Sequence, residues 1–579
     1  MGLPYGVRRK LDKTYESYHR TFMIRLGPGP SYDLFHPIPK FFKRKRYQSY
    51  RRSTKNLQAV IGDVQEGHRT TRAMGMGWSF SKVAISRDSI TTLRKLNLAF
   101  IPEAQDFVQA HTSPDNYRFV QCGLRVKQVN KHLEQESNPP KSLPISGASH
   151  GQTLVGAFST ATHGSGILYG PTPEMVKGLH IVSQSDWHFW ITAEDGPEVS
   201  ATFLGNIGNP EVLRDTALFN AAKVGIGAFG FIHGALVQVE DIYLLDQWKQ
   251  YVPWTGALEQ AITDQDYSGL YDPDPKKSYL KYPPKTDSRS PEDKPLFHFE
   301  MKINPYRFWT DPDDHGVFLR TMHKVPYQGG YKRKPAPFVR GEEPAAGSQP
   351  EGSKVAGDLL SLVTTLASRE ENALDVDVFQ NVVGEFLDHT YRKEMNMIVP
   401  EMGTVGETFD IEEFTLPVIR PRIWDASYMM DRRDALRALD LCKDIMLKPP
   451  YTLNGKPQWV AVFELRFVQA TDATLGMTRF ENTCIFEIVG IQKNVNLSLA
   501  RDVAERFQAE GLRFAMHWGK ENRVVTKEML RWNYEEEGRD RIKEWMQQRS
   551  KIMREQDQWV FNNDLMSRFG IDDYVPLSE

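Results

Sequence analysis

The sequence predicts an α+β protein built as two lobes. Three observations carry this expectation. The 579 residues exceed what one hydrophobic core organises. From about Leu57 to Val239, short β-branched runs alternate with helical stretches and Gly-rich turns, as in NLQAVIGDVQEG, TTRAMGMG and the helical pattern VKQVNKHLEQES. From about Trp248 to Ala515, the chain has helical segments of its own and the strand patterns WVAVFELRFVQ and TCIFEIVGI. The expected divisions are an N-terminal extension over 1–50, a first lobe over 51–245, a second lobe over 246–515, and a C-terminal segment over 516–579 that returns to the first lobe.

Residues 1–50 are rich in Pro, aromatic and basic side chains and end in KFFKRKRYQSYRR, which reads as an irregular extension with a solvated basic face. In the second lobe, DLLSLVTTLASREENALDVDVFQNVVGEFLDHTY predicts helix. The stretch from Lys334 to Gly357 has too few apolar groups to offset its ordering entropy and is expected to be a mobile loop. After His517, Met, Leu, Trp and Ile recur at helical spacing, so the final segment is expected to pack an apolar stripe on the first lobe.

Composition excludes several classes. With 40% hydrophobic and 25% charged residues the chain is neither disordered, fibrous nor a membrane channel. A formal net charge of -2 gives no global field for nucleic acid. Cys122, Cys442 and Cys484 are too few for a disulfide framework or a four-thiolate metal site, so no metal is expected. The opening residues lack a secretory pattern and no apolar run reaches spanning length, which makes a cytoplasmic location the expectation. Oligomeric state is left open.

Three glycine-rich segments carry the chemistry. In TRAMGMGWSFS, Gly75 and Gly77 follow a short strand, and successive N–H groups there would form a nest for phosphate oxygens; an ordinary tight turn would use the same residues. PISGASHGQTLVGAFSTATHGSG sets Gly147, Gly151, Gly156, Gly164 and Gly166 among small hydroxyl residues, which would let a planar ring lie on the main chain. Gly225, Gly227 and Gly230 in VGIGAFGFIHG match GxGxxG, but a helical pattern precedes them and a strand pattern follows. That order excludes the dinucleotide fold which usually bears this motif. These glycines are instead read as allowing close approach to a flat ligand or another strand.

RAMGMGWSF, STATHGSG and IGAFGFIHG, in this order and separation, resemble the vanillyl-alcohol oxidase (PCMH-type) family of FAD flavoproteins. ELRFVQATDATLGMTRFENT and MHWGK narrow the resemblance to its aldonolactone and alditol oxidase branch. The resemblance implies a first lobe that binds FAD, an antiparallel-sheet cap, and an active site where the two meet. It implies that Gly75, Met76, Gly77, Trp78 and Ser79 cradle the pyrophosphate, and that Ser159, Thr160, Thr162, His163, Gly164, Ser165 and Gly166 line pyrophosphate and flavin, together with Gly147, Gly151 and Gly156. Gly227, Gly230 and Ile232 would meet the adenosine end. Trp78 stands where oxidases of the family commonly carry a His bonded to the flavin, so FAD is expected to be held noncovalently.

For catalysis the resemblance points to Ser165 beside the substrate, Glu464 and Arg466 on one strand face where both reach substrate hydroxyls, Lys520 beside the flavin with His517 near it, and Glu487 on a neighbouring strand. The implied reaction is hydride transfer from a CH–OH group of a polyol, sugar lactone or similar alcohol to flavin N5, with oxygen or another acceptor reoxidising the flavin. Two other readings stay open: the same chemistry on a bulkier, sterol-like alcohol, and a catalytically inactive flavoprotein that binds a partner through its C-terminal helix.

Overall fold

The computed structural model describes the chain outside residues 1, 12–13, 20, 28, 38–44, 109–112, 334–401, 410–422, 460, 537 and 577–579. The expected loop at 334–357 and the expected helix at 358–391 lie outside the described residues.

Among the described residues, the first lobe has two larger sheets and two two-stranded ones. One has strand order Val7–Lys10, Ser31–Leu34, Ser89–Thr92, Thr71–Met74, with the first pair antiparallel and the others parallel. The second runs Glu211–Arg214, His188–Thr192, Val176–Val182, Phe231–Gln238, Tyr117–Gln121, Ala99–Phe100. The helix Arg46–Glu66 buries Leu57, Val60, Ile61 and Val64, spaced three and four apart on its inward face.

The first fifty residues differ from the expected extension. Val7–Lys10 and Ser31–Leu34 are strands of the first sheet, Tyr32 and Leu34 are fully buried, and Arg46 already begins the helix. A four-residue strand shows only two side chains to each face, too few for a readable alternation, so its pairing is visible only once the partner strand is in place.

The second lobe is an eight-stranded antiparallel sheet. Its order is Met402–Gly403, Tyr243–Pro253, Gly316–Pro326, Leu296–Ile303, Ala461–Gln469, Asn482–Ile491, Ile423–Asp431, Phe514–Met516. The helices Ala435–Met446 and Asn494–Ala509 bury Leu439, Cys442, Leu499 and Phe507. The C-terminal segment lies on the first lobe. Trp545 Nε1 donates to Val224 O at 3.2 Å, Arg549 Nε to Ala228 O at 3.0 Å, and Asn563 Nδ2 to Ile85 O at 2.9 Å. Among the described residues no helix is long and apolar enough to cross a membrane.

Candidate active site

The strand Thr71–Met74 delivers the chain into Gly75–Ser79, and the short helix Leu154–Ser159, capped by the Thr153 side chain on Gly156 N, delivers it into Thr160–Gly166. Among the described residues, the main-chain N–H groups of Gly75 through Ser79 and of His163 through Gly166 donate to no protein acceptor. His163, Gly164, Ser165 and Gly166 are nonetheless buried. Buried N–H groups are nearly always paired; the buried run at His163–Gly166, beside the half-buried run at Gly75–Ser79, is a donor set for an anionic, oxygen-rich group, and these residues fit the pyrophosphate and flavin of FAD.

Small size at these positions is required by contact. A Cβ on Gly164 would stand 2.5 Å from Ser146 O, and one on Gly151 1.9 Å from the Trp78 ring. Gly164→Ala meets main chain that cannot rotate away, so it should cost about 1–3 kcal/mol and lower the bound flavin. Urea unfolding and the flavin-to-protein absorbance ratio measure both, and wild-type values for the two would show that the loops have slack.

The Gly225–Gly230 turn follows the helix Thr216–Lys223 and precedes the strand Phe231–Gln238, the reverse of the strand-then-helix order of the usual fingerprint. Gly230 has φ +111°, and a Cβ there would lie 2.6 Å from Val182 O, so this glycine serves the close approach of a strand. Gly227 has φ +80° and faces the Arg72 guanidinium, which donates to Ile226 O and Val83 O; Ile232 is buried opposite Ile181.

The second lobe supplies charge. On one face of its sheet, Glu300 lies opposite both Arg320 and Arg466, Lys302 opposite Glu464, Glu464 opposite Glu487, and Glu487 opposite Ser427. Carboxylates directly across a strand pair repel. Arg466 resolves the repulsion, since its guanidinium pairs with Glu464, with Glu487 at 3.4 Å and with Glu300 at 3.6 Å. Lys302 adds Glu464 at 3.3 Å, and His298 Nε2 stands 3.0 Å from Glu300.

At the far end of the stripe, the turn after Phe514–Met516 brings in Lys520. Its ammonium donates to Asp425 Oδ2 and lies 3.9 Å from Glu487. Ser427 Oγ is 2.9 Å from Asp425 Oδ1 and 2.9 Å from Glu487 Oε1. The turn is stitched to the first loop: Phe80 N donates to Gly519 O at 2.7 Å and Ser81 Oγ to Trp518 O at 2.5 Å.

Burial and pairing set the protonation states. Burial opposes the charge of Glu487, but Arg466, Lys520 and His163 outweigh it and hold the carboxyl down to about 2. Glu300 is also held well below the carboxylate range: burial acts against it, and Arg466, His298 and Lys302 prevail. Asp425 goes the other way, pushed up to about 6 by burial and by the Glu487 charge against the pull of Lys520. Lys520 stays protonated, because Asp425 and Glu487 overcome its burial. Burial lowers His163 to about 4 and His517 well below its ordinary value, so both rings are neutral at pH 7.

The structure therefore brings Glu464, Arg466, Glu487 and Lys520 into one network, with His163 Nε2 3.9 Å from Glu487 and the His163 and His517 rings 5.7 Å apart. It also gives the Ser165 side chain partners in the second lobe. Its hydroxyl donates to Phe299 O and accepts from Phe467 N at 3.2 Å, tying the glycine loop to two strands of the second lobe. Trp78 packs on Gly151 and stacks on Tyr18 at 4.5 Å. Asp425, Ser427, His298, Glu300, Lys302, Arg320 and Gln247, which holds Arg320 Nε at 2.6 Å, were not anticipated. The signal was in the chain: HFEMK and WDAS place polar residues two apart inside otherwise apolar strands, the same pattern that marks Glu464 and Arg466.

No family model matches the chain. The D-arabinono-1,4-lactone oxidase of Candida glabrata is 25% identical over 208 residues, 36% of this chain and 34% of that protein. The putative D-arabinono-1,4-lactone oxidase of Neurospora crassa is 26% identical over 200 residues, 34% of this chain and 30% of that protein. The chain thus matches about a third of the length of these curated relatives. Cholesterol oxidase from B. sterolicum superposes with a TM-score of 0.62 at 12% identity, covering 98% of both chains. Glucooligosaccharide oxidase from Acremonium strictum does so with a TM-score of 0.54 at 10% identity, covering 99% of this chain and 98% of the other. The chain thus shares the fold of these two oxidases over nearly its whole length and is distantly similar in sequence to the lactone oxidases over about a third of it.

Proposed function

We propose that the chain is a FAD-dependent oxidoreductase that oxidises a CH–OH group of a small, hydroxyl-rich molecule such as a polyol or sugar lactone. The observation that carries this reading is a buried to half-buried cluster of four acids (Asp425, Glu300, Glu464, Glu487) and four bases (Lys302, Arg320, Arg466, Lys520), joined at Ser165 to the loops with unpaired N–H groups. Arg466 Nε and Glu487 Oε2 are buried there without a hydrogen-bond partner among the described residues. Both keep their ion pairs, at 3.6 Å to Glu300 and 3.4 Å to Arg466 Nη1, but have hydrogen-bonding capacity to spare, which suits hydroxyl groups that both donate and accept.

Bound FAD would supply the two-electron acceptor. The N–H groups of Gly75–Ser79 and His163–Gly166 would hold its pyrophosphate and ring. Arg466 and Glu464 orient substrate hydroxyls. His163 engages Gly164 O through Nδ1 at 3.1 Å, which leaves Nε2 to accept a hydrogen bond from a substrate hydroxyl. Lys520 places a fixed positive charge where negative charge develops. Oxygen or another acceptor would reoxidise the bound group.

The test is anaerobic bleaching of the bound flavin by polyols, aldonolactones and sterols in parallel. Bleaching by the first two supports the reading; bleaching by sterols alone would move it to a bulky apolar alcohol, and none by any would leave a catalytically silent flavoprotein. The proposed FAD linkage is noncovalent, because the Trp78 indole lacks a nucleophilic ring nitrogen. Acid precipitation is expected to leave the flavin in the supernatant, and a yellow pellet would overturn this.

A further inference from the structure

Asp425 faces charge from every element around it: Lys520 from the turn, whose next residue Glu521 donates its N–H to Asp425 O at 2.9 Å; Glu487 from the strand Asn482–Ile491; and Arg466 from the strand beyond. On its own strand is Ser427, and across Lys520 stand the neutral rings of His163 and His517. A serine hydroxyl has one proton to donate, yet Ser427 Oγ lies 2.9 Å from a carboxylate oxygen on each side. Both contacts are favourable only if one carboxyl is protonated, so that it donates to Oγ while Oγ donates to the other. The proton belongs on Asp425: Glu487 has both Arg466 at 3.4 Å and Lys520 at 3.9 Å, whereas Asp425 is buried with Lys520 as its one cationic contact among the described residues.

We propose that Asp425 is a positioning residue that seats Lys520 and, by gaining or losing the proton it shares with Glu487 through Ser427, sets how much of the Lys520 charge reaches the reacting centre. The inference rests on the flavin reading above and deepens it. With Asp425 ionised, Lys520 and Arg466 are balanced by Asp425 and Glu487. With Asp425 protonated, one positive charge is left uncompensated, and where the flavin is held within reach of Lys520 this charge would favour its reduction. The switch falls near pH 6, where the Asp425 carboxyl titrates.

Asp425→Asn separates the two roles, since the amide oxygen still accepts from Lys520 but carries no charge. In the flavin-loaded protein at pH 8, its equilibrium with a redox dye should shift at least tenfold toward reduced flavin, about 30 mV for a two-electron couple, and the two proteins should converge below pH 6. Asp425→Ala removes the seat as well: substrate-driven reduction should slow at least tenfold with little change in half-saturating substrate, and Asn should rescue it. Equal potentials for wild type and Asn at pH 8, or parallel pH profiles, would overturn the charge role. A double-mutant cycle of Asp425→Ala and Lys520→Met in urea reads the pairing whether or not flavin is bound. Coupling of tenfold or more in the unfolding equilibrium is expected, and additivity would overturn the seat. A purified chain that takes up no FAD would defeat the flavin reading instead, and that result is distinguishable because the urea cycle does not depend on it.

Discussion

Lys520→Met is expected to keep FAD bound while substrate-driven flavin reduction falls by about 10²–10³, the usual effect of removing one preorganised charge from a site of this kind. The residues proposed to hold the pyrophosphate are in the first lobe and do not involve the Lys520 side chain. The ammonium contacts Asp425 and lies 3.9 Å from Glu487 in a buried site, and methionine replaces it with a chain of similar length and no charge. Removing one partner of a buried ion pair costs about 3–5 kcal/mol. Here protonation of Asp425, already pushed toward neutrality by burial and by Glu487, should recover part of that. Flavin content by absorbance and single-turnover reduction by stopped flow measure the two quantities. An unchanged reduction rate with full flavin would remove Lys520 from the chemistry, and loss of flavin would place it in cofactor binding.

Acidification from pH 7 to pH 5 is expected to unfold the protein, because it holds so many neutral histidines. Burial lowers His150 to about 3, and His163, His298 and His323 to about 4; it takes His180, His233 and His517 well below their ordinary value. A histidine with a depressed folded pKa favours the native state above its unfolded value of about 6.5, and that stability is lost as pH falls from there toward the folded value. Each such ring loses about 2 kcal/mol between pH 7 and pH 5. Together the seven come to about 14 kcal/mol, which matches or exceeds the whole stability of a typical folded chain. Asp425 acts in the opposite sense through this window, but it is one group. Glu487 and Glu300, held low, add to the loss only below about pH 4.5. Urea midpoints at pH 7 and pH 5 test this, and equal midpoints would mean the buried rings find proton partners on acidification. His180 and His233 matter most, as they lie in one cluster: Tyr50 Oη is 2.7 Å from His180 Nδ1, and Gln121 Nε2 is 2.8 Å from His233 Nε2.

The sequence by itself determined the α+β class, the three glycine-rich segments and the polar pair Glu464 and Arg466. Each is a local property: glycines adjacent in the chain stay adjacent in space, and residues two apart on a strand share a face wherever that strand lies. The order helix, glycines, strand around Gly225–Gly230 was likewise readable without coordinates. Tertiary structure alone decided the rest. That Ser165 ties two lobes, that Ser31–Leu34 belongs to the first sheet, and that Asp425 and Glu300 complete the charged stripe all depend on which strands become neighbours. Sheet neighbours here are separated by up to hundreds of residues, as Leu296–Ile303 is from Ala461–Gln469. The pairing of Lys520 with Asp425, 95 positions apart, is of the same kind. Charge balance in a buried site is a sum over such neighbours, and no stretch of the chain contains enough of them to reveal it.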